Sequence, residues 1–157
     1  MTTERLVDDL ASARQALLES LERVSPASMT TPGLVGDWSG RELIAHLGYW
    51  AGNAVEIIHA VEEGRADEVG AGKPPTDEVN DTVARVARAT NLATVRTREA
   101  ASVEALMERL RRLDPSLLTT RLPDGATLEQ DIVEDGADHY RQHAEDLRRA
   151  LSEGARG

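Results

Sequence analysis

Residues 39–50 read Ser39-Gly40-Arg41-Glu42-Leu43-Ile44-Ala45-His46-Leu47-Gly48-Tyr49-Trp50. Ser39 stands three residues before Glu42, the spacing of a capping box, in which each side chain satisfies an amide that the first helical turn leaves unpaired. A helix therefore starts here. Its apolar line continues through Leu43, Leu47, Trp50, Ala54, Ile57 or Ile58, and Val61, in steps that keep these side chains on one face. Gly64 ends the pattern.

Toward the amino terminus, Leu6, Leu10, Leu17, Leu21 and Val24 share one helical face, which predicts a helix over 3–24 stopped by Ser25-Pro26. Toward the carboxy terminus, the stretch 64–75 carries Gly64, Gly70, Gly72, Pro74 and Pro75 and reads as an extended crossover. Thr76, Asp77 and Glu78 then open a short helix bearing Val79, Val83 and Val86. Leu92, Val95, Glu99, Val103, Leu106, Leu110 and Leu113 predict a third long helix over about 91–113 with a single polar interruption, closed by Asp114-Pro115. Thr127 and Gln130 repeat the capping-box spacing before one continuous run to about Leu151, acidic early and with Arg148 and Arg149 late, as the helix dipole favours. Strand-like alternation is absent. The expected fold is all-α: an antiparallel four-helix bundle, up-down-down-up, with a long crossover between the second and third long helices.

The 157 residues suit one domain, expected to span 1–157. Apolar residues form 40% of the chain and charged residues 29%, enough to bury a core and inconsistent with disorder. Cysteine is absent, which excludes disulfides, thiolate ligands and a protein thiol nucleophile. A net charge of −10 opposes nucleic acid as a partner, because phosphate binding needs a dense positive face. No apolar run reaches the roughly 20 residues of a membrane span. Glu4, Asp8 and Asp9 in the first stretch do not fit a signal peptide, so a cytoplasmic location is expected.

Of four histidines, two stand where the last helix should be apolar. The frame Leu128, Ile132, Gly136, His139, His143, Leu147 puts both imidazoles on one face, within reach of one ion. His46 lies beside Leu47 near the edge of its helix's buried stripe. His59 is rotated roughly 140° from His46 on the same helix and should face solvent. His46 is about 10 Å into its helix, and His139 and His143 about 18 and 24 Å into theirs. Antiparallel helices would bring them to one depth. A lone inward histidine is most often a hydrogen-bonded core residue; three at one depth favour a divalent metal.

The segments Gly36-Asp37-Trp38-Ser39-Gly40-Arg41-Glu42-Leu43-Ile44-Ala45-His46-Leu47, with Trp50, and His139-Tyr140-Arg141-Gln142-His143-Ala144-Glu145-Asp146-Leu147 resemble the two signature regions of the DinB-like superfamily. This group includes the amino-terminal domain of mycothiol-dependent maleylpyruvate isomerases and related thiol transferases. The resemblance spans nearly the whole chain and implies a bundle holding a divalent ion on His46, His139 and His143. It departs at His139, where those isomerases commonly carry Glu, and in length, since they carry a second, carboxy-terminal domain. Three imidazoles leave positions open on zinc, or on nickel, manganese or iron, as a catalytic site requires. With no cysteine of its own, the chain would activate a small thiol cosubstrate, mycothiol or bacillithiol, for transfer to an electrophilic small molecule. A non-catalytic binding or sequestration protein and a metal hydrolase are the alternatives.

Asp135, one turn before His139, is a candidate to orient an imidazole or act as base; as a dipole-compensating carboxylate it would face solvent. Trp38, Tyr49, Trp50 and Tyr140 flank the motifs and are candidates to line a pocket, with core packing the alternative for Trp50 and a plug over the bundle end for Trp38. Asn80 is a candidate for the pocket mouth. Members of the superfamily are often dimers, and the apolar edge residues allow a homodimer here.

Overall fold

A computed structural model describes residues 2–154; the expected domain 1–157 also includes Met1 and 155–157, which lie outside the described residues. Six helices carry the fold: α1 (Thr3–Glu22), α2 (Gly40–Glu62), α3 (Thr76–Arg88), α4 (Leu92–Arg112), α5 (Leu128–Asp135) and α6 (Ala137–Gly154). Short 3₁₀ turns at Ala66–Glu68 and Pro115–Thr119 complete the order. The all-helical expectation holds among the described residues, where only two isolated bridges, Val35 with Trp38 and Arg121 with Thr127, break the helical pattern. No described helix is long and apolar enough to cross a membrane.

Both capping boxes form. The Ser39 hydroxyl accepts from the Glu42 amide, while Glu42 Oε1 accepts from the Ser39 amide at 3.2 Å. Thr127 and Gln130 repeat the exchange at the start of α5. Glu42, 1% exposed, also accepts from Arg88 Nε at 2.9 Å, so the start of α2 is tied to the end of α3.

Cross-helix pairs set the directions. Gly48 meets Glu99 and Gly52 meets Ser102, and Glu62 pairs with Arg109, so α2 and α4 run in parallel. His46 meets His139 and Asn53 meets Asp135, so α5 and α6 oppose α2. Leu6 and Leu10 lie by Ile132 and Ala137, whereas Ser20 and Arg23 lie by Ala144 and Arg148, which makes α1 parallel to α5 and α6. One apolar cluster, including Leu17, Leu43, Leu47, Leu106, Leu110, Leu128 and Leu147, fills the space between them.

Two expectations need correction. The crossover is not an extended strap: positive φ at Gly64, Gly70 and Gly72 curls 64–75 into tight turns, a conformation glycine adopts without steric cost. The return along α2 is made by α3, whose Asn80 meets Trp50 and whose Arg88 meets Glu42. The last helix is also not continuous. Gly136, at φ −109° and ψ −106°, separates α5 from α6. A Cβ there would stand 2.8 Å from the Ile132 carbonyl oxygen and 3.5 Å from a Leu10 methyl, so only glycine fits this bend against α1.

Candidate metal centre

Beyond the Gly136 bend, α6 carries His139 and His143 one turn apart, and antiparallel α2 brings His46 to the same level. His46 Nε2 lies 2.7 Å from His139 Nε2, and His143 Nε2 lies 3.2 Å from His139 Nε2. For a tetrahedral ion with nitrogen at 2.0–2.1 Å, adjacent ligand atoms stand about 3.3 Å apart. The 3.2 Å pair matches this spacing and the 2.7 Å pair is shorter; with all three ligand atoms within 4.8 Å of one another, the trio could hold a metal ion. The Trp38 ring covers it, 4.6 Å from the His46 ring and 6.5 Å from that of His143, centre to centre.

Protonation favours the same reading. Burial first, then the neighbouring imidazoles, push His46 down to about 3, with the Asn80 side chain opposing the fall. Burial and His143 bring His139 to about 4. His143 is also lowered by burial, against the pull of Asp146. All three rings are neutral near pH 7, as ligation requires. His143 Nδ1 donates to Asp146 Oδ2 at 3.0 Å, which fixes the tautomer and aims the Nε2 lone pair at the cluster. Nδ1 of His46 and of His139 is buried without a partner, so no competing acceptor turns either ring away. Converging lone pairs repel one another, and a cation is their complement.

Asp135 is not part of this cluster. The bend at Gly136 removes it from the helical turn that His139 begins, and it accepts from Asn53 Nδ2 at 2.9 Å instead. It faces a separate cavity of about 380 Å³ beside Tyr49, Trp50, Lys73, Asp124, Asp131 and Glu134. Burial raises the Asp135 carboxyl to about 6, with Asn53 and Lys73 opposing. Burial, then Asp124, raises Asp131 to about 7.

The flanking aromatics separate by role. Trp50 donates its indole N–H to Asn80 Oδ1 at 2.9 Å, and its ring meets Tyr49 edge-on at the cavity wall. Tyr140 is 0% exposed and packs in the core; its hydroxyl donates to Glu99 at 2.8 Å. Glu99 also takes two bonds from Arg14, at 2.7 and 2.9 Å. The polar interruption in the α4 frame is thus the centre of a buried network pinning α6 to α1 and α4. His59 is half-exposed and paired with Glu63 at 2.8 Å, as its angular position predicts.

Sequence reasoning did not single out Asp146 or Asp131. Asp146 follows His143 by three residues, an i,i+3 relation open to inspection. Asp131 carried no such signal, because its neighbour Asp124 lies in a loop.

The profile of a protein family, Mycothiol maleylpyruvate isomerase N-terminal domain, matches residues 10–148. No curated protein matches the sequence. Among solved structures, an uncharacterised protein from Escherichia coli UTI89 aligns with a TM-score of 0.79 at 13% identity, over 98% of this chain and 95% of its own. The mycothiol-dependent maleylpyruvate isomerase aligns with 0.76 at 18% identity, over 94% of this chain and 61% of its own, so the chain spans about three-fifths of that enzyme's length. The colibactin self-resistance protein ClbS, solved in complex with a dsDNA, aligns with 0.78 at 17% identity, over 96% of both chains. At these identities the likeness to solved structures is one of fold.

Proposed function

Because the chain belongs to the mycothiol maleylpyruvate isomerase N-terminal domain family within the DinB-like group, we propose that it is a metal-dependent transferase that activates a small thiol for attack on an electrophilic small molecule. The observation that carries this reading is the convergence of His46, His139 and His143 on one point, all neutral. These three would hold the divalent ion, zinc by the all-nitrogen donor set, with nickel, manganese or iron as weaker fits. When bound, such an ion supplies the Lewis acidity that keeps a thiol deprotonated near neutral pH. The chain's own contribution is positional. Asp146 holds His143, Trp38 shields the cluster from water on one side, and the Arg14–Glu99–Tyr140 network anchors the helix on which two ligands stand.

Mycothiol is the first candidate thiol, from the family, and bacillithiol the second. The electrophile would approach from the cavity lined by Tyr49, Trp50 and Asp135. Its four carboxylates, Asp124, Asp131, Glu134 and Asp135, oppose a dicarboxylate such as maleylpyruvate, so this reading does not extend to that isomerisation. The same acidity and the net charge of −10 support small molecules over nucleic acid as partners. The reading is of a cytoplasmic protein in which residues 1–157 form one domain, with a homodimer allowed.

Elemental analysis of the purified protein, followed by turnover assays against model electrophiles with mycothiol, bacillithiol or no thiol, tests it. One divalent ion per chain and thiol-dependent product are expected. Product without thiol would assign a hydrolase; tight binding without product under either thiol would assign sequestration. Absence of stoichiometric metal would overturn both the transferase and the hydrolase.

A further inference from the structure

Helix α2 carries two small residues, Ala45 and Gly48, between two helices that both pack on it. At Gly48, α4 comes so close that a Cβ would stand 2.9 Å from the Glu99 Cα. Helix α3 lies along the other side, tied to α2 through Asn80 and Arg88. The small floor leaves a groove of about 290 Å³ between α3 and α4. Val83, Val86 and Ala87 form its α3 wall, spaced to share one helical face. Tyr49 and Val86 are the large apolar side chains that the described residues leave exposed, at 39% and 51%, and both stand in this groove. Single exposed apolar residues are ordinary, but exposed apolar surface gathered in one concave place marks a binding site.

The α4 wall supplies the charge. Arg98 and Ser102 stand one turn apart on the same helical face, and both line the groove. Neither side chain has a hydrogen bond or ion pair among the described residues, so a guanidinium and a hydroxyl present free donors side by side. The other charged residue of the lining, Glu99, is 4% exposed and already neutralised by two bonds from Arg14 and one from Tyr140. The groove thus offers one uncompensated positive charge beside apolar walls. A planar carboxylate matches a guanidinium in both shape and charge. The volume lies at the lower end of small-ligand sites, about 300 Å³, which limits the body to one ring or a short chain. A second copy of this chain is a poorer occupant, since two chains of net charge −10 repel each other.

We infer that this groove binds a small apolar monocarboxylate, with the carboxylate on Arg98 and Ser102 and the hydrocarbon against Val83, Val86 and Tyr49. None of His46, His139 and His143 lines the groove, so the site is separate from the metal centre and binding does not require an ion. The inference stands apart from the transferase reading.

Titration calorimetry on the full chain, as purified and after chelation, tests it with three probes: 3-phenylpropionate, the matched 3-phenylpropanamide, and acetate. The propionate should bind at least tenfold tighter than the amide, which lacks the charge, and than acetate, which lacks the body. Its affinity should be the same in both preparations. Arg98→Gln should bring the propionate down to the affinity of the amide, a loss of at least tenfold, and Ser102→Ala should cost about threefold. Arg98 is exposed, so its variant should keep the helical fold by circular dichroism. Should it not, Val86→Glu, at a 51% exposed position, should abolish propionate binding by placing a like charge in the groove. Loss of propionate binding on chelation would put the carboxylate on the metal and overturn the proposal. So would equal affinity for propionate and amide, no propionate binding at millimolar concentration, or unchanged affinity in folded Arg98→Gln. A dimer by sedimentation that Val86→Glu dissociates, with no propionate binding to the parent, would assign the groove to a second copy instead.

Discussion

Two neighbouring regions of this protein meet the same physical demand in opposite ways. The histidine cluster and the acidic cavity are both partly withdrawn from water, and withdrawal disfavours charge. In the cluster it strips protons: His46 falls to about 3 and His139 to about 4. In the cavity it retains them: Asp131 rises to about 7 and Asp135 to about 6. Neutral imidazoles converging at 2.7 and 3.2 Å suit an ion held by nitrogen. The carboxyl groups line a cavity that none of the three histidines reaches, and there they keep protons that the imidazoles have lost.

The contrast breaks most completely if one ligand is removed. His46→Ala or His139→Ala should reduce zinc retention by more than the ~10–100-fold typical of losing an outer partner, read as metal content after dialysis. Either variant should keep the helical fold, since neither ring ties its helix to the core network of Arg14, Glu99 and Tyr140. Metal content equal to the parent would dissolve the distinction between the two regions.

A smaller effect is expected one shell out. Asp146→Asn leaves all three imidazoles in place but withdraws the negative partner from His143 Nδ1. Zinc affinity should fall about tenfold, measured by competition with a chromophoric chelator. An unchanged affinity would make Asp146 a surface acid that happens to lie near.

How much of this was legible beforehand depends on how local the cause is. The starts of α2 and α5 were readable because Ser39 with Glu42, and Thr127 with Gln130, complete their bonds within one turn. The three ligands were readable because an i,i+4 pair and a depth along antiparallel helices are both properties of period and rise. The bend at Gly136 was not, because it answers to Leu10 and Leu106 on other helices, and a glycine in an apolar frame looks the same with or without them. That one miss carried Asp135 to the wrong site. Glu99 was visible as an interruption, but its meaning lies with Arg14, 85 residues away, and Tyr140, 41 residues away. The glycines of 64–75 flagged a connection and not its shape, which positive φ at Gly64, Gly70 and Gly72 made compact.

The two regions should also tilt stability in opposite directions with pH. Asp135 holds its proton to about 6 in the folded protein and loses it near 4 when unfolded. The native state thus binds more protons in this window, and stability declines as pH rises through it. The histidines, lowered in the folded state, have the reverse slope below about 6.5. Asp135→Asn should therefore raise stability at pH 8 by about 1 kcal/mol relative to its effect at pH 4, allowing for partial solvent screening. On a chain of this size that is roughly 2–4 °C in Tm. A shift independent of pH would mean that the lost charge is not the cause.

The smallest expected effect sharpens the comparison by holding residue type constant. His59 shares α2 with His46, yet its side chain is 44% exposed and pairs with Glu63, itself 46% exposed, at 2.8 Å. An exposed pair of this kind contributes about 0–1 kcal/mol, and the ring buries little surface. His59→Ala should therefore change Tm by no more than about 2 °C and leave zinc content untouched. If it lowered zinc content as His46→Ala does, metal uptake would follow histidine number and not the placement that three separate turns of helix impose.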